Sequence, residues 1–285
     1  MNRIKKVVRA EVMGFCMGVR SVMDKVDDQI LRNQGSGSDL FTYGPLIHNP
    51  QVIEKLESQG VKSVDSPSDK AGSTVIIRAH GIHPVARKEF LDAGFSIVEG
   101  TCPRVLHSQK IVTAHSHDGW YVVLVGDKGH GEVKAIAGCA EACSVILTEE
   151  EASTLEIPER TMVIAQTTLS SKEYATICNI LQSKNPAVKI IESICPATRE
   201  RQTALVELTE KVDAVIIVGG KNSANTRRLY RCALDEGIPT WHVEDVEDLP
   251  SGIFEYETVG VSAGASTPDW MIDRIEERLL REEDE

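Results

Sequence analysis

Three cysteines in equivalent sequence settings are the residues of this chain best suited to carry out chemistry. Cys16, Cys102 and Cys195 lie 86 and 93 residues apart, and each follows an extended apolar run and precedes a helix-like segment. Three thiolates are too few to close a structural zinc site, which takes four ligands. They suit an iron–sulfur cluster with one iron left open, since clusters are held by cysteine thiolates. The alternative is that all three are small buried apolar residues, as free cysteines often are.

The nearly equal spacing also predicts an internal threefold repeat. Each third of the chain contains three junctions at which a strand-like apolar run gives way to helical periodicity. Alternating strands and helices imply parallel sheets, so we expect an α/β protein made of three units around a pseudo-threefold axis. The expected units are 14–97, 98–192 and 193–285, with 1–13 packing on the third unit, and QGSGSD at Gln34–Asp39 is expected as a turn.

The first junction of each third carries a cysteine, and the other two carry polar residues. The second junctions hold His48, then His130 with Glu132, then Ser223 with Asn225, and the third junctions hold His80, Thr167 and Ser266. Because ligands of parallel sheets bind beyond the carboxyl ends of the strands, we expect these loops to surround the three cysteines.

Several of these loops carry groups that could bind an anion. Ser223 and Asn225 lie between a strand and a helix, where backbone N–H groups and the positive helix end favour a phosphate. Ser266 has the same setting, and His48 and His80 could donate charge-assisted hydrogen bonds. Together the five predict a diphosphate pocket, although each serine or asparagine alone could simply cap a helix.

Glu132 is the one carboxylate in this set of loops. Reductive chemistry needs a proton source, and a buried glutamic acid within reach of the substrate can serve as one. Thr167 could bind a substrate hydroxyl and relay a proton. The alternatives are an acidic residue in a first helical turn for Glu132, and a cap for Thr167.

The remaining cysteines and histidines have no comparable placement. Cys139 and Cys143 lack a second pair at metal-ligand spacing, so we expect them to be structural, and Cys178 and Cys232 are expected in the core. The other histidines are expected at the surface or as helix caps: His83, His107, His115, His117 and His242.

Composition excludes several classes of function. A net charge of −12 argues against general nucleic-acid binding, which needs a basic face. The sequence has no apolar run of about 18 residues and no secretory leader, so we expect a cytoplasmic protein with no membrane partner. Seven cysteines, an odd number, predict thiols or metal ligands in a reducing compartment rather than a disulfide framework.

Taken in order, nine short motifs resemble the 4-hydroxy-3-methylbut-2-enyl diphosphate reductase family (IspH/LytB). They extend from Gly14 to about Asp269 and are together highly specific: GFCMGVR, YGPLIHNP, RAHGI, TCPRV, GHGEV, QTTLS, the IC of ESICPAT, KNSANTRRL and SAGASTPD. The resemblance implies a trefoil of three α/β units around one 4Fe–4S cluster, whose fourth iron is open to substrate. It also implies the last step of the non-mevalonate (MEP) isoprenoid pathway, in which reductive removal of the allylic hydroxyl gives isopentenyl and dimethylallyl diphosphate.

The resemblance assigns roles by position. It implies cluster ligation by Cys16, Cys102 and Cys195, proton donation by Glu132, and reduction by a ferredoxin or flavodoxin. It implies catalytic and substrate-binding roles for His130 and Thr167. It implies that the diphosphate is bound by His48, His80, Ser223, Ala224, Asn225 and Ser266.

Two departures from the family pattern bear on the site. Ala224 stands where relatives often have serine, so one side-chain bond to the diphosphate is expected to be missing. Gly131 stands where they often have proline, so this loop is expected to be more mobile. Two alternatives remain open: a three-cysteine 4Fe–4S hydro-lyase, which needs no electron donor, and a cluster-bearing redox sensor, which needs no Glu132.

Overall fold

The strands of this protein form three four-stranded sheets, all of them parallel. The computed structural model describes residues 3–33, 38–67 and 70–281. The strands are β1 Lys6–Arg9, β2 Leu40–Tyr43, β3 Val61–Val64, β4 Thr74–Ile77, β5 Ser96–Val98, β6 Tyr121–Val125, β7 Cys143–Ile146, β8 Thr161–Ala165, β9 Lys189–Ile190, β10 Ala214–Val218, β11 Thr240–Val243 and β12 Thr258–Ala263.

α-Helices connect most of the successive strands, and two short 3₁₀ helices, Val246–Asp248 and Ser251–Glu255, lie between β11 and β12. The α-helices are α1 Met17–Asn33, α2 Pro50–Ser58, α3 Pro84–Asp92, α4 Pro103–His117, α5 Gly131–Ala137, α6 Glu149–Thr154, α7 Ser171–Lys184, α8 Pro196–Thr209, α9 Ala224–Asp235 and α10 Asp269–Leu280. Among the described residues, no helix has the length and apolar character needed to cross a bilayer. Most of the turn expected at Gln34–Asp39 lies outside the described residues, since these stop at residue 33 and resume at residue 38.

The three sheets share one strand order. Sheet A runs β11-β10-β12-β1, sheet B runs β3-β2-β4-β5, and sheet C runs β7-β6-β8-β9. In sheets B and C the strand that leads to the next cysteine, β5 or β9, lies at one edge. In sheet A that position belongs to β1, which leads to Cys16 and pairs with β12 of the last third of the chain. The expected α/β class with parallel sheets is therefore confirmed.

Each sheet has one strand more than the sequence predicted. The additional strands are β3, β7 and β11, and each lies at the sheet edge opposite β5, β9 or β1. Their residues are only partly buried, so they lack the continuous apolar run that identifies the central strands. By contrast, β8 and β10 are buried at all five positions, because helices cover both faces.

The described chain divides into two compact units. One comprises residues 3–17, 48–51 and 196–281 and contains sheet A. Its core is made by β10 and β12 with α8, α9 and α10. The other comprises residues 18–47 and 52–195 and contains sheets B and C. The three-unit boundaries 14–97, 98–192 and 193–285 stay a prediction.

Candidate active site

The three cysteines that open the repeats are held in the same way. The backbone N–H of Cys102 donates to the carbonyl of Ala79 at 2.9 Å, and that of Cys195 donates to Thr167 at 2.9 Å. The N–H of Cys16 donates to Ala265 at 3.2 Å. Each acceptor lies two residues beyond the last residue of the third strand of its sheet, β4, β8 or β12. The equivalence expected from spacing is thus present in the backbone.

The sulfur of Cys102 packs closely against the first turn of α1. Gly18, in the first turn of α1, faces it, and a Cβ at residue 18 would lie 2.7 Å from the Cys102 Sγ. All three of these cysteines are reduced and of intermediate exposure. Partly accessible thiols that precede the first turn of a helix fit the ligand set of an iron–sulfur cluster.

The other four cysteines pack as the sequence predicted. Cys178, on α7, lies in the core together with residues of β8, and Cys139, Cys143 and Cys232 pack against core clusters. Burial raises the pKa of all four thiols, to about 11 for Cys143 and Cys178. Thiols with such values stay protonated at neutral pH and do not bind metals readily.

Glu132 lies in the first turn of α5 and is 2% exposed. Its two carboxylate oxygens accept from one residue: the Thr167 backbone N–H at 2.6 Å and the Thr167 hydroxyl at 2.9 Å. The Thr167 carbonyl accepts from the N–H of Cys195. A hydrogen-bonded path therefore connects the buried carboxylate to the backbone of a cysteine loop, and Glu132 is not the exposed first-turn acid of the alternative.

Two predicted histidines contact each other beside this carboxylate. The His80 and His130 rings pack edge to face, with centroids 4.8 Å apart. His130 is the N-cap of α5, and its Nδ1 accepts from the backbone N–H of Glu132 at 3.3 Å. His130 is therefore both a cap and a site neighbour of Glu132. His83 caps α3 in the same way, as expected.

The unit that contains sheet A gathers the other anion-binding candidates. Ser223 caps α9, and its Oγ accepts from the Thr226 N–H at 3.3 Å. Asn225 is 6% exposed, and its buried Nδ2 has no hydrogen-bond partner among the described residues. Ser266 lies beyond the end of the neighbouring strand β12, and its Oγ is 3.4 Å from the His48 carbonyl oxygen. The four residues thus belong to one unit, with Asn225 in the first turn of α9 and the others in loops: His48, Ser223, Asn225 and Ser266.

A glycine brings the His48 segment to these loops. A Cβ at Gly220 would overlap the His48 carbonyl oxygen, so only glycine allows residues 48–49 to lie so close to the loop after β10. His242 supports the same loop, because its Nε2 donates to the Gly219 carbonyl at 2.7 Å. His242 is half-buried, and burial lowers its pKa, so the expectation of a surface or capping residue was wrong.

Ala224 follows Ser223 as the first residue of α9 and is 3% exposed. Its methyl group offers no donor, although its backbone N–H lies at the helix N-terminus, where anions are favoured. The hydrogen-bond donors available here are therefore the Ser223 hydroxyl, the Asn225 amide and backbone N–H groups.

Four residues near these loops were missed or misaligned by sequence reasoning. His80 and Ser266 each lie three residues beyond the end of their strand, β4 or β12. The residue three beyond the end of β8 is Thr168, not Thr167. Gln166 is fully buried and accepts from the Asp127 N–H at 3.0 Å, and its Nε2 has no partner among the described residues. The remaining two are arginines, Arg78 and Arg201.

Arg201 fixes the segment ahead of Cys16. It lies on α8, is 4% exposed, and its Nη2 donates to the Gly14 carbonyl at 2.8 Å. Its Nη1 donates to the Ala197 carbonyl of its own helix at 2.9 Å. A single arginine side chain thus joins the start of α8 to the Cys16 loop. Polar residues in QTT and TRER were the available signals for Gln166, Thr168 and Arg201.

Comparison with known proteins points to one family. The sequence model described as LytB protein matches residues 7–280. A 4-hydroxy-3-methylbut-2-enyl diphosphate reductase from Treponema denticola is 42% identical, over 96% of this chain and 99% of its own length. The corresponding protein of Aquifex aeolicus is 37% identical, over 96% and 95%.

Solved structures agree with the sequence comparison. The E-1-hydroxy-2-methyl-but-2-enyl-4-diphosphate reductase of Plasmodium falciparum matches with a TM-score of 0.92 and 26% identity, over 99% of this chain and 90% of that one. A second structure, described as the terminal enzyme of the non-mevalonate pathway, matches with a TM-score of 0.70 and 37% identity, over 98% and 99%.

Proposed function

Because the chain belongs to the LytB protein family, we propose that it reduces 4-hydroxy-3-methylbut-2-enyl diphosphate in the last step of the non-mevalonate isoprenoid pathway. The allylic C–O bond breaks, two electrons and two protons are taken up, and water leaves. The allyl carbon skeleton receives one of the protons and becomes isopentenyl or dimethylallyl diphosphate. The shared backbone bonding of Cys16, Cys102 and Cys195 is the observation that most supports this proposal.

We assign one 4Fe–4S cluster to these three thiols. When bound, it supplies low-potential electrons and a Lewis-acidic iron without a cysteine ligand. The intermediate exposure of all three thiols, each just ahead of a helix, supports the assignment. Arg201 holds the Cys16 loop through the Gly14 carbonyl, so it orients one of the ligands.

The diphosphate binds to the loops after β10 and β12 and to the two histidines His48 and His80. Ser223, Asn225 and Ser266 each present a side chain that can donate a hydrogen bond, and Ala224 contributes its backbone N–H. The partnerless Nδ2 of Asn225 is the specific observation behind this assignment, because buried donors are rarely left unsatisfied. Charge-assisted bonds to phosphate oxygens would satisfy it.

Glu132 and Thr167 handle protons. A protonated Glu132 delivers a proton either directly or through the Thr167 hydroxyl, to which its Oε2 is already hydrogen-bonded. Thr167 also binds the substrate hydroxyl, and His130 contacts the substrate from the neighbouring cap. Burial of Glu132 and Thr167 keeps bulk water from competing for these protons.

The electron donor is a small redox protein. The sequence carries neither a flavin nor a nicotinamide motif, so electrons come from a reduced ferredoxin or flavodoxin. We place the enzyme in the cytoplasm, where reducing conditions keep the three thiols available.

The decisive experiment uses protein purified without oxygen, with its iron and sulfide contents measured. Reduced flavodoxin and the allylic diphosphate are added, and the two diphosphate products are quantified. Turnover that requires the reductant supports the proposal. Turnover without reductant would indicate a hydro-lyase, and a full complement of iron without any turnover would indicate a sensor.

A further inference from the structure

Arg78 is a half-buried cation whose role the sequence did not predict. It follows the last residue of β4 and precedes His80 by two residues. Its Nε is buried and has no hydrogen-bond partner among the described residues. Burial lowers the pKa of the guanidinium, while Tyr43 and Asp65 act in the opposite direction. An incompletely paired buried charge generally stabilises a fold less than an apolar side chain does, so stability does not explain this arginine.

The guanidinium is enclosed by two glycines and one aromatic ring. A Cβ at Gly44 would lie 2.7 Å from the Arg78 Nη1. A Cβ at Gly131 would overlap Nη2 and lie 2.8 Å from Cζ. The Cζ atom is 5.3 Å from the centre of the Tyr43 ring, in cation–π contact. Arg78 therefore fills the volume that side chains at residues 44 and 131 would occupy.

One of these two glycines separates the candidate catalytic residues. Gly131 is the first residue of α5, between the N-cap His130 and Glu132. Its backbone fixes the direction of both side chains, since neighbouring residues share a peptide plane. A group packed against Gly131 thus acts on the histidine that contacts His80 and on the carboxylate that accepts from Thr167.

We propose that Arg78 is a positioning residue, which holds the His130–Glu132 backbone in place for proton delivery and, in its observed position, leaves no space for a side chain at residue 131. The glycine that departs from the family pattern then has a steric reason in this chain. The guanidinium packs against this loop and restricts the mobility that the sequence predicted for it at Gly131. The kinetic part rests on the proposed function, whereas the pairing of Arg78 with Gly131 does not.

The pairing is tested by thermal unfolding of the anaerobically purified holoprotein. The variants are Arg78→Ser, Gly131→Ala and the double substitution. Gly129→Ala is the matched control, because a Cβ at residue 129 meets no atom within 4 Å. We expect Gly131→Ala to lower the Tm of the parent protein but to leave the Tm of Arg78→Ser unchanged or raise it, since alanine favours the helix. Equal losses of Tm in both backgrounds would overturn the pairing.

The positioning role is tested by kinetics normalised to bound iron. Misplacement of a reacting group by about 1 Å can reduce a rate roughly a hundredfold, so we expect Arg78→Ser to lower kcat about 10- to 100-fold. KM should change by less than about threefold, and Gly131→Ala should behave like Arg78→Ser.

Two outcomes would overturn this role. A raised KM with an unchanged kcat would mean that the guanidinium binds the substrate anion. A lowered Tm with both constants unchanged would mean that it only supports the fold. If the parent protein itself does not reduce the diphosphate, the proposed function fails, and the Tm comparison still decides the pairing.

Discussion

The Glu132 carboxylate and the donors at the end of sheet A differ in how fully they are hydrogen-bonded within the protein. Around Glu132, both carboxylate oxygens accept from Thr167, and the Thr167 carbonyl accepts from Cys195. At the end of sheet A, the Asn225 Nδ2 is buried without a partner among the described residues, and the Ser266 bond is long at 3.4 Å.

This difference separates a pre-organised region from a receptive one. Groups that transfer protons must be held in a fixed geometry before substrate arrives, so their hydrogen bonds are made within the protein. Groups that bind an anion keep hydrogen-bond donors available for the ligand. Without the ligand, the buried unpaired donors make the folded protein less stable. Substitutions should therefore change kcat in the first region and KM in the second.

Removal of a cluster ligand should have the largest effect. We expect Cys102→Ser to lower bound iron well below about four per chain and to abolish turnover, because serine replaces a thiolate ligand. Cys178→Ser is the control, since that thiol is buried in the core. Iron and sulfide assays after anaerobic reconstitution measure the effect, and an iron content equal to that of the parent would refute the ligand assignment.

Glu132→Gln should have the next largest effect. Glutamine keeps the size of the side chain and one oxygen acceptor but cannot release a proton, so kcat should fall roughly 10²- to 10⁴-fold. Iron content and KM should stay near the parent values. Steady-state kinetics with a reduced donor test this, and near-normal kcat would remove Glu132 from proton transfer.

Asn225→Ala should change KM rather than kcat. Loss of a donor to a charged oxygen weakens binding by about 1.5–3 kcal/mol, so KM should rise about 10- to 150-fold while kcat changes little. Unfolding in denaturant should show no loss of stability without substrate, because the substitution removes a buried donor that lacks a partner. A marked loss of stability with unchanged KM would make Asn225 a structural residue and break the comparison.

The smallest effect should come from Ala224→Ser, which adds a donor to the receptive region. One added hydrogen bond contributes about 0.5–1.5 kcal/mol, so KM should fall about 2- to 12-fold. Turnover at saturating substrate should not change. The same kinetic assay measures it, and an unchanged KM would show that the α9 N-terminus does not face the diphosphate.

The architecture could be predicted because its signals are local. The fully buried strands β8 and β10 are almost entirely apolar, and each of the three cysteines follows a short edge strand, β1, β5 or β9, within seven residues. The edge strands β3, β7 and β11 could not be predicted this way. Only some of their residues are buried, so pairing with a neighbour, rather than their own composition, makes them strands.

The candidate site was predictable to the extent that residue type carries the chemistry. The cysteines and Glu132 stand out in sequence, and the structure adds that Glu132 is buried and bonded to Thr167. Arg78 could not be found this way, since its setting depends on volume left by Gly44 and Gly131 from distant parts of the chain. A glycine in the sequence does not indicate which side chain fills the space beside it, and only the structure identifies that neighbour.

The place of β1 in sheet A has a consequence for synthesis on the ribosome. Residues 6–9 leave the ribosome first, but their partner strand β12, residues 258–263, is made about 250 residues later. At 5–20 residues per second, this separation corresponds to a wait of roughly 12–50 s. Throughout that time the nascent chain presents an unpaired strand just ahead of Cys16. Sheet A therefore cannot close until residues 258–263 have been made.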